Sequence, residues 1–257
     1  MILRTVRNIG ANALRPRYLR VMTQKMAQRL VDARHRGERE KATAWAAERA
    51  EETSAFALSV APDLWEEAQG FSRELKRGAA QKLAAAGVQL GGAGHYALLY
   101  FLVRLRSPLT VIETGVAAGF SSQAILTALA KNGQSGRLFS SDAPYFRLQS
   151  PEQFVGLVVD DDLKANWTLR VDGDRQNIPE ILKEVDEVDL LHYDSDKSYE
   201  GRQFVLHAVQ DRLARDAVVV MDDIQDNLFF RDYVTARGVP YRVFRRTDKF
   251  FAGAIGI

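Results

Sequence analysis

The stretch Val111-Ile-Glu-Thr-Gly-Val-Ala-Ala-Gly-Phe-Ser-Ser122 decides how the rest of this chain is interpreted. Two β-branched residues lead into Glu113, and Gly115 and Gly119 then bracket a short turn. An apolar run follows from Gln123 to Ala130. This order predicts a buried strand, a glycine-rich turn and a helix whose free backbone N–H groups face a ligand.

The composition sets limits on the function. The chain has 257 residues, of which 46% are apolar and 26% charged, as is ordinary for a soluble globular protein. A net charge of +2 gives no reason to expect a nucleic acid partner. The absence of cysteine excludes disulfides, thiolate metal sites and cysteine nucleophiles. No apolar run approaches the roughly 20 residues of a transmembrane helix. The first residues of the sequence lack the apolar block that is typical of a signal peptide, and we expect a cytoplasmic protein.

The first third of the chain has a helical pattern. Residues 1–31 carry seven basic and no acidic residues, which is typical of a solvated basic helix or of a helix that contacts an anionic membrane surface. Residues 11–60 and Asp63 to Ala85 are rich in good helix formers. Glycines from Gly87 to Gly94 then interrupt the pattern. We therefore expect residues 1–90 to form a helical extension that caps the site or pairs subunits of a homo-oligomer.

Strand and helix signals alternate after the opening motif. The strand patterns run over 137–140, 167–171, 188–193 and 217–221, with helices over 178–185, 199–213 and 229–237 between or after them. Residues 241–245 and 250–257 are expected to form a terminal antiparallel pair. Such alternation predicts an α/β fold for residues 91–257, a Rossmann-like, doubly wound, mostly parallel sheet of seven strands with helices on both faces.

Acidic residues recur where these predicted strands end. They are Asp142, Asp174, Asp194, Asp222 and Asp223. Ligands of such sheets bind at the carboxyl ends of the strands, and like charges there repel each other unless a cation or a polar ligand compensates. The alternative is that the acids cap the helices that follow them.

The opening motif and these acids resemble class I S-adenosylmethionine-dependent methyltransferases over roughly residues 91–257. Glu113, Gly115 and Gly119 match the acid and two of the glycines of that family's opening motif, whereas Ala117 replaces the middle glycine. The catechol and caffeoyl-coenzyme A O-methyltransferase group shares this departure. It argues against a nicotinamide dehydrogenase, whose second glycine admits the pyrophosphate.

Two further motifs resemble the metal-dependent O-methyltransferases of that group. Leu191-His-Tyr-Asp-Ser-Asp-Lys-Ser-Tyr199 is similar to their Asp-x-Asp-Lys sequence, and Val218-Val-Val-Met-Asp-Asp-Ile224 matches their next strand end. The resemblance implies that Asp194, Asp222 and Asp223 hold a divalent cation such as Mg²⁺, a hard ion that suits carboxylates. No histidine pair has metal-ligand spacing, which makes zinc improbable.

The resemblance also assigns a base. Lys197 stands where those enzymes keep their general base, and desolvation beside a cation would lower the pKa of a lysine there. Asp196 is a competing base, because related sugar O-methyltransferases use an aspartate two residues after the metal acid. A solvated lysine at a helix start and an ordinary helix cap are the structural alternatives for the two residues.

The family implies cofactor contacts as well. The methionine end of S-adenosylmethionine would lie against Glu113, Gly115 and Ser121, and Asp142 would accept both ribose hydroxyls. The adenine would lie near Gly173 and Asp174, and Tyr145 and Phe146 would either wall the base or pack in the core. The other implied cofactor contacts are Gly119 and Asp194. His192 is expected to be a core histidine with its hydrogen bonds satisfied.

These observations predict a divalent-metal-dependent O-methyltransferase that acts on a small-molecule hydroxyl. One alternative is a same-fold enzyme with a different reaction, such as an N-methyltransferase or a hydroxylase-like relative. The other is a non-catalytic scaffold that works through its basic N-terminal helices. A requirement for a metal ion would distinguish the O-methyltransferase from the first alternative, because transfer to an amine does not require a cation.

Overall fold

A computed structural model describes residues 2–13, 15–16, 18–23, 35, 37–92, 94–133 and 135–257. The part of the predicted N-terminal helix that falls on residues 24–34 lies outside these ranges. None of the described helices is both long enough and apolar enough to cross a membrane.

The first hundred residues are mainly helical, as predicted. The helices are α1 (Ile2–Ala13), a helical segment over 18–23, α2 (Arg39–Arg49), α3 (Thr53–Val60), α4 (Pro62–Ala85) and α5 (Tyr96–Arg106). The prediction of helix is wrong at Ala50–Glu52, which form strand β1. Ala and Glu favour helix intrinsically, but pairing with a strand of the sheet overrides that preference.

The rest of the chain alternates strands and helices. The strands are β2 (Thr110–Thr114), β3 (Arg137–Ser141), β4 (Trp167–Arg170), β5 (Val188–Tyr193), β6 (Leu213–Met221), β7 (Tyr241–Thr247) and β8 (Phe250–Ile255). The helices are α6 (Phe120–Lys131), α7 (Asp174–Ile181), α8 (Tyr199–Val209) and α9 (Phe229–Arg237). In this part of the chain the largest boundary differences are shifts of four residues: α7 begins and ends earlier than predicted, α8 ends earlier, and β6 begins earlier.

One sheet contains all of the described strands, in the order β1-β7-β8-β6-β5-β2-β3-β4. Strand β8 is antiparallel to β6 and β7, and the remaining pairs are parallel. The prediction of a mostly parallel, doubly wound α/β sheet is therefore confirmed, with eight strands rather than seven. The additional strand is β1, which pairs in parallel with β7.

Both faces of the sheet are covered, because neighbouring residues along a strand point to opposite sides. Val111, Leu190 and Val218 join a core beneath α3, α4, α5 and α6. Ile112, Leu191 and Val219 join a second core with α2, α7, α8 and α9. Helices α3 and α4 share the first core with the sheet. The division of the chain at residue 90 stays a prediction.

Candidate functional site

A cavity of about 700 Å³ opens at the carboxyl ends of β2, β3 and β5. Seven of the residues singled out in the sequence line it, namely Gly115, Asp142, Gly173, Asp174, Asp194, Asp196 and Lys197. Its wall also includes Val21, His35 and Arg39 from the N-terminal part of the chain. A volume of this size is in the range of small-molecule and cofactor sites.

The turn after β2 brings the backbone close to the loop after β5. Gly115 has a φ of +86°, and a Cβ atom there would lie 2.5 Å from the carbonyl carbon and oxygen of Asp194. A side chain therefore cannot be accommodated without moving backbone. Gly119 has a φ of +96° and precedes α6, but it does not line the cavity.

Asp142 is bound to the same turn. Its Oδ2 accepts a hydrogen bond of 2.6 Å from the Ala117 N–H, and its Oδ1 accepts one of 2.6 Å from the Ala143 N–H. Ala117, which occupies the family's middle glycine position, has a φ of +51°. These two hydrogen bonds fix the Asp142 carboxylate against the turn after β2 and the start of the loop after β3.

Glu113 lies behind the cavity rather than in its wall. The side chain is fully buried, and its Oε2 accepts hydrogen bonds from the Ser122 and Ser140 hydroxyls at 2.6 and 2.8 Å. Its Oε1 is 3.6 Å from His192 Nδ1. Ser121 is also buried and does not line the cavity. These two residues could influence a bound ligand only through the residues that they hold.

Asp174 connects three strand ends. Its Oδ1 accepts a 2.6 Å hydrogen bond from the Ser141 hydroxyl, and its Oδ2 accepts one of 2.6 Å from the Ser195 hydroxyl. The buried Asn177, one turn later in α7, donates to the carbonyl oxygens of Asp142 and Arg170. These bonds fix the loops that form the floor of the cavity.

The sequence predicted that three carboxylates would meet, and the structure groups them differently. Ligand atoms of His192, Asp194 and Asp222 lie within 4.8 Å of one another. Asp223, with a φ of +53°, instead directs its carboxylate to Lys197 and Arg246, at 3.2 and 3.4 Å. The sequence pattern gave no signal for His192 as a member, because it looked like a core residue within β5.

His192 is not the satisfied core histidine that was expected. Neither ring nitrogen has a hydrogen-bond partner among the described residues. Burial opposes a charge on the ring, but Glu113, Asp222 and Asp194 outweigh this effect and raise the pKa of His192. A buried imidazole with unsatisfied nitrogens beside two carboxylates is a donor set that a divalent metal ion can use.

The buried carboxylate of Asp222 and the half-buried carboxylate of Asp194 repel each other. Burial, and then the proximity of Asp222, raises the pKa of Asp194 to about 6, although Lys197 opposes the shift. Burial and Asp223 likewise raise the pKa of Asp222. A cation bound between the carboxylates would relieve this repulsion.

Lys197 lies among the carboxylates of the site. Its ammonium contacts the Asp194 carboxylate, donates to the Asp194 carbonyl at 2.9 Å and lies 3.2 Å from Asp223 Oδ2. Burial lowers the pKa of Lys197, but Asp194, Asp223 and Asp222 outweigh burial, so the pKa is raised. Lys197 is therefore positioned as a counter-ion to the carboxylates, and the lower pKa expected beside a bound cation stays a prediction.

Asp196 faces the start of α8. Its Oδ1 accepts a 3.0 Å hydrogen bond from the Ser198 N–H, and its carboxyl group packs against Gly201, where a Cβ would lie 2.7 Å away. Ser198 itself caps α8 by accepting from the Gly201 N–H. The helix-cap alternative for Asp196 thus has a geometric basis, while the side chain still lines the cavity.

Arg202 is a structural residue that the sequence did not reveal. The side chain is fully buried, and it donates to the Asp223 carbonyl at 2.7 Å and to Asn227 Oδ1 at 3.1 Å. Nothing in the local pattern of α8 distinguishes it from an exposed helical arginine. It fixes the backbone that presents Asp222 and Asp223.

Comparisons with known proteins agree with this architecture. Residues 112–224 match the family of the methyltransferase domain. No curated protein matches the chain. The solved O-methyltransferase TomG from Streptomyces achromogenes, involved in tomaymycin synthesis and in complex with SAM, is 18% identical, with 71% of this chain and 89% of that chain covered and a TM-score of 0.56.

Two other solved structures are similar at comparable levels. The O-methyltransferase from Bacillus cereus, in complex with SAH, is 14% identical over 79% of this chain and 96% of that chain, with a TM-score of 0.54. A putative caffeoyl-CoA O-methyltransferase from Staphylococcus aureus is 12% identical over 68% and 89%, with a TM-score of 0.52. At these identities the likeness establishes the fold. The match of residues 112–224 to the methyltransferase domain confirms the predictions that this chain is a methyltransferase and that it resembles the class I S-adenosylmethionine-dependent enzymes.

Proposed function

We propose that this protein is an O-methyltransferase that transfers the methyl group of S-adenosylmethionine to the hydroxyl of a small molecule. The observation that carries the proposal is the cavity at the carboxyl ends of β2, β3 and β5, within the methyltransferase domain. The fold similarity to O-methyltransferases, two of them in complex with SAM or SAH, supports the choice of oxygen as the acceptor atom.

The cofactor would occupy the part of the cavity near Asp142. The carboxylate of Asp142 lines the cavity and is the residue that would accept the ribose hydroxyls. The buried hydroxyl of Tyr145, which has no hydrogen-bond partner among the described residues, belongs to a residue that lines the cavity as well. Five carboxylates line the cavity, against three arginine or lysine side chains. This excess of negative charge favours a cofactor with a positively charged sulfonium group.

A divalent cation is part of the proposal. His192, Asp194 and Asp222 are the residues that would hold it, and their mixed nitrogen and oxygen donors suit Mn²⁺ or Fe²⁺ at least as well as Mg²⁺. When bound, such an ion would act as a Lewis acid toward the acceptor oxygen. Asp223, Lys197 and Arg246 would balance the charge around the site, and Arg202 would hold the backbone of Asp222 in place.

The chain's own residues contribute mainly by positioning. The Gly115 turn lies against the backbone of the loop after β5. The residues of that loop from Asp194 to Ser198 line the cavity together with His35 and Arg39. In-line attack requires that the hydroxyl oxygen and the methyl carbon be held in near contact. A rigid cavity floor, tied by Asp174 and Asn177, supplies that constraint.

The test is a calorimetric titration of the full chain with S-adenosylhomocysteine, in the presence of Mn²⁺ or Mg²⁺ and then of a chelator. We expect the unaltered chain to bind S-adenosylhomocysteine with micromolar affinity. The affinity should fall at least about tenfold in Asp142→Asn, because this change removes one charged hydrogen-bond acceptor. The affinity of Asp162→Asn, an exposed control, should not change. Asp222→Asn should abolish any response to the metal while leaving binding of the nucleoside largely intact. Absence of S-adenosylhomocysteine binding by the unaltered chain would refute the proposed function, and metal-independent turnover would refute only the cation.

A further inference from the structure

His35 is a cavity-lining residue that the proposed reaction has not yet used. It precedes α2 and lines the cavity together with Arg39. Its ring lies against Tyr199, the first residue of α8, directly after the loop from Asp194 to Ser198. Because Asp194 of this loop is one of the residues proposed to hold the cation beside the acceptor oxygen, we assign His35 to the acceptor.

The imidazole of His35 is held from two directions. Its ring stacks on the ring of Tyr199, with 4.4 Å between centroids and 11° between planes. Its Nδ1 is 2.8 Å from Glu38 Oε1. Glu38 is fixed in turn, because its Oε2 accepts a 3.2 Å hydrogen bond from the Leu228 N–H at the start of α9. The side chain is thus oriented before any ligand binds.

The contacts of the His35 ring determine which of its two nitrogens can accept a proton. If Nδ1 donates its proton to Glu38, the neutral ring carries its lone pair on Nε2. The distance from His35 Nε2 to Glu200 Oε1 is 3.9 Å, which is beyond hydrogen-bond distance. Nε2 is therefore the ring nitrogen that can accept a proton. The charged or titratable groups around the ring and along this wall are Glu38, Arg39, Asp196, Lys197, Tyr199, Glu200 and Asp226.

We propose that His35 is the general base of this methyltransferase and that Glu38 is its positioning residue. The inference rests on the proposed function. Nε2 takes the proton as the O–H bond of the acceptor breaks, and an oxygen electron pair forms the new bond to the methyl carbon. The S–CH₃ bond breaks with its electron pair going to sulfur, which yields a methyl ether and neutral S-adenosylhomocysteine. The imidazolium then releases its proton to water.

Histidine bases in other enzymes are commonly oriented by a carboxylate in the same way. A carboxylate on Nδ1 fixes the tautomer and stabilises the positive charge that the ring acquires. The other two candidates are otherwise engaged: the Lys197 ammonium is bound by Asp194 and Asp223, and the Asp196 carboxylate accepts from the Ser198 N–H. Among the described residues that line the cavity, we therefore assign the role of base to His35, whose ring is oriented by Glu38 and Tyr199.

The activity test uses catechol as the probe acceptor with S-adenosylmethionine, and it measures release of S-adenosylhomocysteine. We expect kcat to fall about 100-fold or more in His35→Gln, with the affinity for S-adenosylhomocysteine unchanged, and we expect added imidazole to restore turnover in His35→Ala. Glu38→Gln should lower kcat more than Glu200→Gln, which makes the same change 3.9 Å from the ring. His207→Gln, at an exposed histidine, is the control. Full turnover by His35→Gln would overturn the inference.

A second measurement does not depend on turnover. In protein labelled with ¹⁵N at its four histidines, the signals that disappear in His35→Gln identify His35. We expect them to show a proton on Nδ1 and none on Nε2 at pH 8, and we expect Glu38→Gln to disturb this tautomer. A ring protonated on Nε2 would overturn the inference even if catechol is not an acceptor. Loss of S-adenosylhomocysteine binding by the unaltered chain would instead refute the proposed function.

Discussion

Gly115 is the residue at which the backbone of the site is most tightly constrained. Its φ is +86°, and a Cβ atom there would lie within 2.5 Å of the Asp194 backbone and 2.7 Å of the Ser195 nitrogen. Two separate costs therefore apply to any side chain at this position. One is the left-handed conformation, and the other is displacement of the loop after β5.

Substitution of Gly115 by alanine should expose both costs. We expect Gly115→Ala to lower the free energy of unfolding by about 2–5 kcal/mol, the sum of a left-handed penalty and overpacking. Gly133→Ala is the matched control, because Gly133 has a φ of +68° and no atom of the described residues comes within 4 Å of its added Cβ. It should lose only about 1–2 kcal/mol. Urea denaturation measures both values.

The affinity for S-adenosylhomocysteine provides an independent readout of the same pair. It should fall in Gly115→Ala, where the cavity floor moves, and stay the same in Gly133→Ala. Equal destabilisation of the two variants would show that the close approach to Asp194 is not a constraint.

Residue-scale features of the site were only partly predictable. Asp142, Asp174 and Asp194 could be found because an acid at the carboxyl end of a parallel strand is visible in the sequence. His192 and His35 could not. The first looked like an apolar-strand residue, and the second reaches the cavity through the packing of the N-terminal segment. No spacing rule in the sequence encodes that packing.

At the scale of elements, strongly patterned segments were predicted well. Strand Val188–Tyr193 and helix Phe229–Arg237 have the predicted bounds. Strand β1 was missed, because Ala50-Glu-Glu52 has helical propensity and its pairing partner lies almost 200 residues later. Its acidic side chains meet basic residues of β7, with Glu51 2.8 Å from Arg242 and Glu52 3.4 Å from Arg245. Long-range pairing of this kind leaves no local signal.

Helices α4, α5 and α6 are joined by a polar contact at the edge of their shared core. Glu67 Oε1 of α4 accepts from the Tyr100 hydroxyl at 2.5 Å and from Arg104 Nε at 3.3 Å, both on α5. It also accepts from Lys131 Nζ, the last residue of α6, at 3.2 Å. Burial raises the pKa of Glu67, but these three donors outweigh it and lower the pKa to about 2.

The stabilisation by Glu67 should depend on pH. Because the folded-state pKa lies below the ordinary value of 4.5, the contribution is fully present above about pH 4.5 and is lost as the pH falls through about 2. Glu67→Gln should lower the free energy of unfolding by about 1–2 kcal/mol at pH 7, allowing for the partial exposure of the group. The difference from the unaltered chain should shrink toward zero near pH 2.

Denaturant melts at several pH values measure this difference. The exposed neighbour Glu66 provides the control, and Glu66→Gln should leave stability within about 0.5 kcal/mol at every pH. A Glu67→Gln deficit that persists unchanged at pH 2 would mean that packing, and not the charge, accounts for it.

At the scale of the whole molecule, the N-terminal segment forms part of the cavity wall. The buried Asn12 of α1 donates hydrogen bonds of 3.0 and 3.1 Å to the carbonyl oxygens of Phe146 and Leu148, in the loop after β3. Tyr18 packs edge-on against Phe146. Val21 lines the cavity and approaches Gly173. The segment thus reaches the end of the cavity that we assign to the cofactor.

Loosening this segment should affect ligand binding more than folding. In Asn12→Ala two backbone carbonyls lose their donor, which is worth about 1 kcal/mol, so we expect the affinity for S-adenosylhomocysteine to fall about fivefold. The main thermal transition should hardly move, because the two large cores do not contain Asn12. Amide hydrogen exchange over residues 8–13 and 18–23 should become faster. Asn8→Ala, which removes a single bond to the Arg147 carbonyl, is the matched control and should have a smaller effect.

The opposite result would assign the segment to the folding core. If Asn12→Ala lowers the main transition by several degrees and leaves the affinity for S-adenosylhomocysteine unchanged, the N-terminal segment stabilises the sheet and does not shape the cavity. If both variants behave like the unaltered chain in exchange and in binding, the contact with residues 144–148 carries no energy. Only a change in binding together with faster local exchange fits a segment that forms one wall of the cofactor cavity, because a wall can open while the sheet beneath it stays folded.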